Sequence, residues 1–240
     1  DPDCAVWKKL AGVSESEFHA AALAQDGINF VVDSSKDLRW LLDSHAWAAE
    51  SGFSIYNILI WKDPMSLSYS HWKRGRPVDF YRQAFVRYYG RFLKLGLPFV
   101  SVSYNRVIED SVRVLQELCD VLGMEYEPGR EEFWRKRPHH IFGSAGTARQ
   151  VDSGKSELRL IKEYPDEFVQ AFEAHQREAG TDHELNEVVA GLEANELKAQ
   201  RPVADGRQVS VSAIKPAWYY YHHLKALFRK HFPETGPIAD

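Results

Sequence analysis

An α/β fold, a parallel sheet flanked by helices, is what this sequence predicts. Three observations carry that reading. Apolar runs rich in Ile, Val, Leu and aromatic residues, Ile28 to Asp33, Phe53 to Trp61 and Phe99 to Tyr104, are of strand length and end abruptly in polar residues. Each run is followed by a segment whose apolar residues recur at helical spacing. Glycine and proline punctuate the helical segments, as Gly96 and Pro98 do just before Phe99. Strands alternating with helices in this way argue for parallel pairing with helices on both sides.

The elements follow in order. Ser14 to Gln25 reads as a helix opened by the capping pair Ser14-x-x-Glu17. After the strand ending at Asp33, a helix to about Ser51 places Leu38, Leu41, Leu42, His45 and Ala46 on one face. The strand ending at Trp61 gives way to a helix from Pro64, because proline cannot join a ladder but suits a first helical turn. Tyr81, Phe85, Tyr88, Phe92 and Leu95 recur at steps of four and three and predict one buried helical face. Leu115, Leu118 and Leu122 mark another helix, with Gly123 as its terminator and Cys119 on its apolar side. Leu158 to Gly180 and Asp182 to Gln200 read as two further helices. Residues 1–200 are expected to form the α/β domain. Residues 201–240 are expected to add a polar linker, Arg201 to Ser212, and an aromatic, basic helix, Ala217 to Phe232. That helix is expected to dock on the domain by its aromatic face, with contact to a membrane surface as the rival reading.

Composition excludes several classes. A net charge of −4 with no block of like charges argues against nucleic acid as a partner. No apolar run approaches the ~20 residues that span a bilayer. Cys4 and Cys119 are too few for a disulfide framework and lack metal-ligand spacing.

The chemistry concentrates where apolar runs end. Lys62-Asp63-Pro64 follows one run, and Ser70 lies about two helical turns further on. Ile28 to Asp33 ends similarly in Asp33-Ser34-Ser35-Lys36, so two parallel strands are expected to deliver Lys36 and Lys62 to one edge of the sheet. Ligands of open α/β sheets bind at that carboxyl edge, and a lysine beside a hydroxyl there suits a phosphate.

Together these segments resemble the PAPS-dependent sulfotransferases, and their bacterial branch in particular. Lys62 and Ser70 match the spacing of the family's strand-R-D-P-x-x-x-x-x-S segment, which binds the 3′-phosphate. Asp33-Ser34-Ser35-Lys36 with Arg39 is similar to the D-S-S-K of bacterial members. Phe99 to Asn105 resembles the strand-Y-E-D segment, and His139-His140-Ile141-Phe142-Gly143-Ser144 with Arg149 the H-x-x-G-N…R loop that closes over the nucleotide. Cys4-Ala5-Val6-Trp7 looks like the C-P-x-W opening, so the resemblance spans Cys4 to Arg149. Three departures stand out: Lys62 for an arginine, Asn105 for an acid and Ser144 for an asparagine. Lysine keeps the charge but forfeits bidentate recognition.

The resemblance implies a P-loop-NTPase-like sheet whose first strand and glycine-rich phosphosulfate loop are missing from this chain. Gly143-Ser144-Ala145-Gly146-Thr147 follows no strand-like run. Gly154-Lys155-Ser156 lacks a glycine five residues upstream, where Arg149 stands. The chain opens at Asp1 without methionine, so a truncated N-terminus is expected. The cytoplasm is the expected compartment, with a Golgi or membrane-anchored location if an N-terminal segment is missing.

The implied activity is sulfuryl transfer from PAPS to a hydroxyl or amine of a small-molecule or glycan acceptor, without a metal. Lys62 and Ser70 would hold the 3′-phosphate. Arg149 and Gly143 would close over it, and Tyr104 would pack near the adenine. Lys36 would stabilise the leaving group. Ser35 would contact nucleotide or acceptor, or cap the next helix. Asp33 is the candidate base by position, with His139 and His140 the histidines best placed to assist. Two rivals remain: a catalytically inactive nucleotide-binding member of the family, and a P-loop small-molecule kinase, which would need a Walker A loop and an acidic Mg²⁺ ligand that the sequence does not show.

Overall fold

The structure is a computed structural model that describes residues 4–34, 37–135, 145–156, 163–180 and 182–198. In chain order the elements are α1 (Ala5–Leu10), α2 (Phe18–Leu23), α3 (Leu38–Ser51), β1 (Ile58–Trp61), α4 (Pro64–Trp72), α5 (Phe80–Ala84), α6 (Arg91–Lys94), β2 (Val100–Ser103), α7 (Tyr104–Glu109), α8 (Ser111–Leu122), α9 (Ala145–Ser153), α10 (Asp166–Ala179) and α11 (His183–Ala194). The chain divides into two compact units, one of residues 1–37 and 129–157, the other of residues 38–128 and 158–240.

In the first unit Ser14 and Glu17 do pair, but not as the capping box the pattern predicts: α2 starts only at Phe18, with Glu17 at its N-cap and no side-chain cap bond. Ser14 Oγ donates to Glu17 Oε2 at 2.6 Å, and a 3₁₀ turn over Glu15–Glu17 leads into α2. The expected strand from Ile28 to Asp33 does not form. The segment has no regular structure and joins no ladder, and Val32 is 90% exposed. An apolar run supplies the side chains for a strand but not its partner, and without a neighbouring ladder no strand forms.

The second unit is mixed α/β, with a small parallel sheet of β1 and β2 flanked by helices. Ile58 pairs with Val100 and Trp61 with Ser103, so both strands end at the same edge. The other side of β2 is taken by the chain leaving α11. Ser101 N–H donates to Asn195 O at 3.1 Å, and Leu197 N–H donates to Ser101 O at 3.0 Å. That pairing is why α11 stops at Ala194 rather than running on to Gln200 as the sequence suggests. Leu59 and Trp61 point into the core, while Ile58 and Ile60 face outward, Ile60 58% exposed.

The core is largely aromatic, as the periodic stripe predicts. Tyr81, Phe85 and Phe92 pack with Trp61, Phe99, Phe168 and Phe172, and with Leu185, Val188 and Leu192 of α11. Between α5 and α6 the helix widens into a π turn over Phe85–Gly90. α11 passes close by: a methyl group on Gly90 would lie 3.2 Å from Val188 Cγ2, and one on Gly191 would lie 3.1 Å from Leu93 Cδ1. α8 ends at Gly123 as expected, with that residue in the left-handed region at φ 66°, and it is capped by Asp110, which accepts from Arg113 N–H at 3.0 Å. Residues 201–240, with the expected linker and aromatic helix, lie outside the described residues.

At the amino edge of the sheet, His45 of α3 meets the buried Asn57. Asn57 Nδ2 donates to Pro98 O at 2.7 Å, so its amide oxygen faces His45 Nε2 at 3.1 Å and His45 must donate. Burial pulls the His45 pKa below its ordinary value, against the raising effect of this bond. The unfolded chain therefore takes up a proton that the folded chain resists. Stability is expected to be intact above about pH 6.5 and to fall as the pH drops from there toward the lower folded pKa. His71 acts in the same direction, its pKa lowered by burial and by Arg74 and Arg76. Urea titrations across this range should show a shallower acid loss in His45→Gln, because the amide keeps a donor for Asn57 but takes no proton. An unchanged slope would remove His45 from the account.

Candidate functional site

The carboxyl edge of the sheet brings together a lysine, two serines and a tyrosine. β1 ends at Trp61, Lys62 follows, and Asp63 caps α4, its Oδ1 accepting from Ser66 N–H at 2.9 Å. Pro64 occupies the first turn, where no N–H is needed. One turn beyond Ser66 on the same face comes Ser70, whose hydroxyl donates to Ser66 O at 2.8 Å. With its proton committed there, Ser70 Oγ accepts from Lys62 Nζ at 3.3 Å. The strand-turn-helix grammar thus folds two residues eight positions apart onto each other.

Tyr104 arrives from the neighbouring strand. It follows Ser103, the partner of Trp61, so parallel pairing carries it to the same edge as Lys62. The Lys62 ammonium lies 4.5 Å from the centre of its ring, within cation–π range. Asn105 Nδ2 donates to Asp63 Oδ2 at 3.1 Å and ties the two strand ends together. An ionised acid at position 105 would have no proton to offer Asp63, so the departure noted in the sequence is used here as a link.

Electrostatics sharpen the picture. Burial lowers the Lys62 pKa; the Asp63 carboxylate works against this, and Lys73 and Arg74 add repulsion. Lys73 caps the end of α4 and lies 4.8 Å from the Tyr69 ring. Lys73 and Arg74, both repelling the half-buried Lys62 ammonium, form with it a place where an anion is attracted by all three. Burial alone raises the Tyr104 pKa, so the phenol is neutral at physiological pH.

Lys73 and Arg74 were not among the residues singled out by sequence, although the run His71-Trp72-Lys73-Arg74-Gly75-Arg76 displays them openly. Glu196 was missed as well. Its carboxylate accepts from Trp61 Nε1 at 3.2 Å and from Ser103 N–H at 3.0 Å, and lies 3.6 Å from Arg106. It therefore bridges the last residues of both strands, just before Lys62 and Tyr104. No local pattern marks position 196 for that task.

The other sequence-selected residues are placed differently. Arg149 sits exposed on α9 in the first unit, on a helix rather than a loop. Asp33 lies in the irregular segment of that unit and is exposed. Ser35, Lys36, His139, His140 and Gly143 lie outside the described residues. Among the described residues no group of His, Cys, Asp and Glu has the makings of a metal site, and no helix is long and apolar enough to cross a membrane.

Comparison of the chain with protein-family models, curated proteins and solved structures finds no significant match.

Proposed function

We propose that this chain is a PAPS-dependent sulfotransferase with a P-loop-NTPase-like nucleotide fold, and that the edge of β1 and β2 holds the 3′-phosphate of the nucleotide. The observation that carries the proposal is the triad of Lys62 Nζ, Ser70 Oγ and the Tyr104 ring, within 3.3 Å and 4.5 Å of the ammonium. An ammonium with donors to spare, a hydroxyl and an aromatic face match a phosphate attached to a nucleoside. Lys73 and Arg74 add charge that a monoester dianion offsets better than a singly charged group.

In the reaction an acceptor hydroxyl or amine attacks the sulfur in line. The bond from sulfur to the bridging phosphate oxygen breaks, and 3′,5′-ADP departs. The attacking atom loses its proton to a base or to solvent, and positive charge near the departing phosphate lowers the barrier. Lys36 is assigned to that charge and Asp33 to the base. Ser35, Gly143 and Arg149 are assigned contacts around the nucleotide.

Binding is tested by thermal shift with 3′,5′-ADP against ADP. At a hundredfold excess over Kd, a ligand specific for the folded state contributes about 2.7 kcal/mol, a rise of roughly 5–10 °C for a chain of this size. The rise should be clearly larger for 3′,5′-ADP. Lys62→Ala should weaken 3′,5′-ADP roughly ten- to hundredfold and leave ADP nearly unchanged, since a charge-assisted hydrogen bond is worth about 1.5–3 kcal/mol. Equal responses to the two nucleotides would sink the 3′-phosphate assignment. Preference without release of labelled sulfate from PAPS to any acceptor would favour the inactive nucleotide-binding member.

A further inference from the structure

The segment Phe80 to Leu95 carries Arg82, Arg87, Arg91 and Lys94 and contains neither Asp nor Glu, in a chain whose net charge is −4. Arg87, Arg91 and Lys94 stand at intervals of four and three, the spacing that brings side chains onto one helical face, where like charges disfavour the helix. These cations line an open cleft with Gln83 and Glu184. Countercharge comes from the start of α11. Asp182 pairs with Arg82, and Glu184 lies 3.4 Å from Arg82 and 3.6 Å from Lys94. Arg87 is exposed and enters no ion pair among the described residues, so the cleft keeps a net positive charge.

We propose that this cleft binds an acidic saccharide, with Arg87 and Arg91 on its sulfate or carboxylate groups and Gln83 and Glu184 on its hydroxyls. Guanidinium forks match both kinds of oxyanion. Glu184 is a poor neighbour for a phosphodiester backbone but a natural acceptor for sugar hydroxyls. Among the described residues no aromatic ring lines the cleft, which gives unstacked bases nothing to lie on. From Arg87 to Lys94 the helix advances roughly 10 Å, about the length of a disaccharide. The inference goes beyond the nucleotide reading and stands or falls without it.

The test measures binding of the full chain to four labelled oligomers of matched length over a salt series: sulfated dextran, oligogalacturonate, uncharged dextran and oligothymidylate. One or both acidic saccharides should bind, and the two arms tell sulfate from carboxylate. The double variant Arg87→Ala/Arg91→Ala should bind at least about tenfold more weakly, with a dependence of log K on log salt shallower by about two. Arg87→Gln alone, at an exposed position, should show the same change in smaller measure and guards against a misfolded double variant. Failure of both acidic saccharides to bind, binding unaffected by these variants, or oligothymidylate binding as tightly as the saccharides would overturn the proposal.

Discussion

Replacing Phe168 by alanine should cost about 3–5 kcal/mol of stability, among the largest losses available to a single substitution here. The side chain is fully buried on α10. Its ring lies 5.0 Å from that of Tyr69, 5.6 Å from Trp72, 5.6 Å from Tyr164 and 5.8 Å from Phe172. Truncation removes the hydrophobic transfer of the ring and leaves a hole walled by other rigid rings, which cannot collapse to fill it. A domain stable by about 5–15 kcal/mol would lose a large part of that margin, and its melting temperature should fall by roughly 10 °C or more. Phe53, exposed and stacked on Trp47 at 5.3 Å, serves as the control, and Phe53→Ala should cost far less. Urea unfolding decides the matter, with a fall in midpoint at unchanged slope expected. A loss below about 1 kcal/mol would mean that α10 does not seat on α4 as described.

That seat bears on function, because α4 carries Ser70. Tyr164 OH lies 2.7 Å from Ser66 Oγ, and Ser66 O in turn accepts the Ser70 hydroxyl. The aromatic cluster fixes the helix, the helix fixes Ser70, and Ser70 holds the Lys62 ammonium. Phe168→Ala should therefore also loosen any ligand bound at Lys62, at temperatures where the variant is still folded.

Much of this edge was legible in the sequence because its rules are local. A strand that ends in Lys-Asp-Pro must turn, aspartate caps, proline opens the helix, and a serine six residues later returns over the lysine. Tyr104 needed one further step, parallel pairing, which the alternation of strands and helices supplied. Ile28 to Asp33 shows where such reading stops. Its apolar content is that of a strand, but strand formation depends on a partner elsewhere in the chain, and the pattern does not name one. The π turn at Phe85–Gly90 hides inside a stripe with ordinary helical spacing. Glu196 lies 135 positions from Trp61, and an isolated glutamate after a helix carries no mark of the indole it will meet.

Glu196→Ala is expected to damage the site more than its distance in sequence suggests. The substitution strips an acceptor from the buried Trp61 indole and from Ser103 N–H, and removes a carboxylate 3.6 Å from Arg106. Two donors left without partners cost about 1–3 kcal/mol each where water cannot reach them, so a total of about 2–6 kcal/mol is expected. Glu196→Gln should recover only part of this. Its single carbonyl oxygen can serve one of the two donors well, and its NH₂ faces the other donor or the Arg106 guanidinium. The informative readout is the ratio of responses to 3′,5′-ADP and ADP. General destabilisation lowers both responses together, whereas splaying the ends of β1 and β2 separates Lys62 from Tyr104 and erodes the preference itself. If Glu196→Ala melts earlier but keeps the wild-type ratio, Glu196 is a brace for the sheet. A lower ratio at temperatures where the variant remains folded makes it the positioning residue that holds the lysine and the tyrosine at one edge.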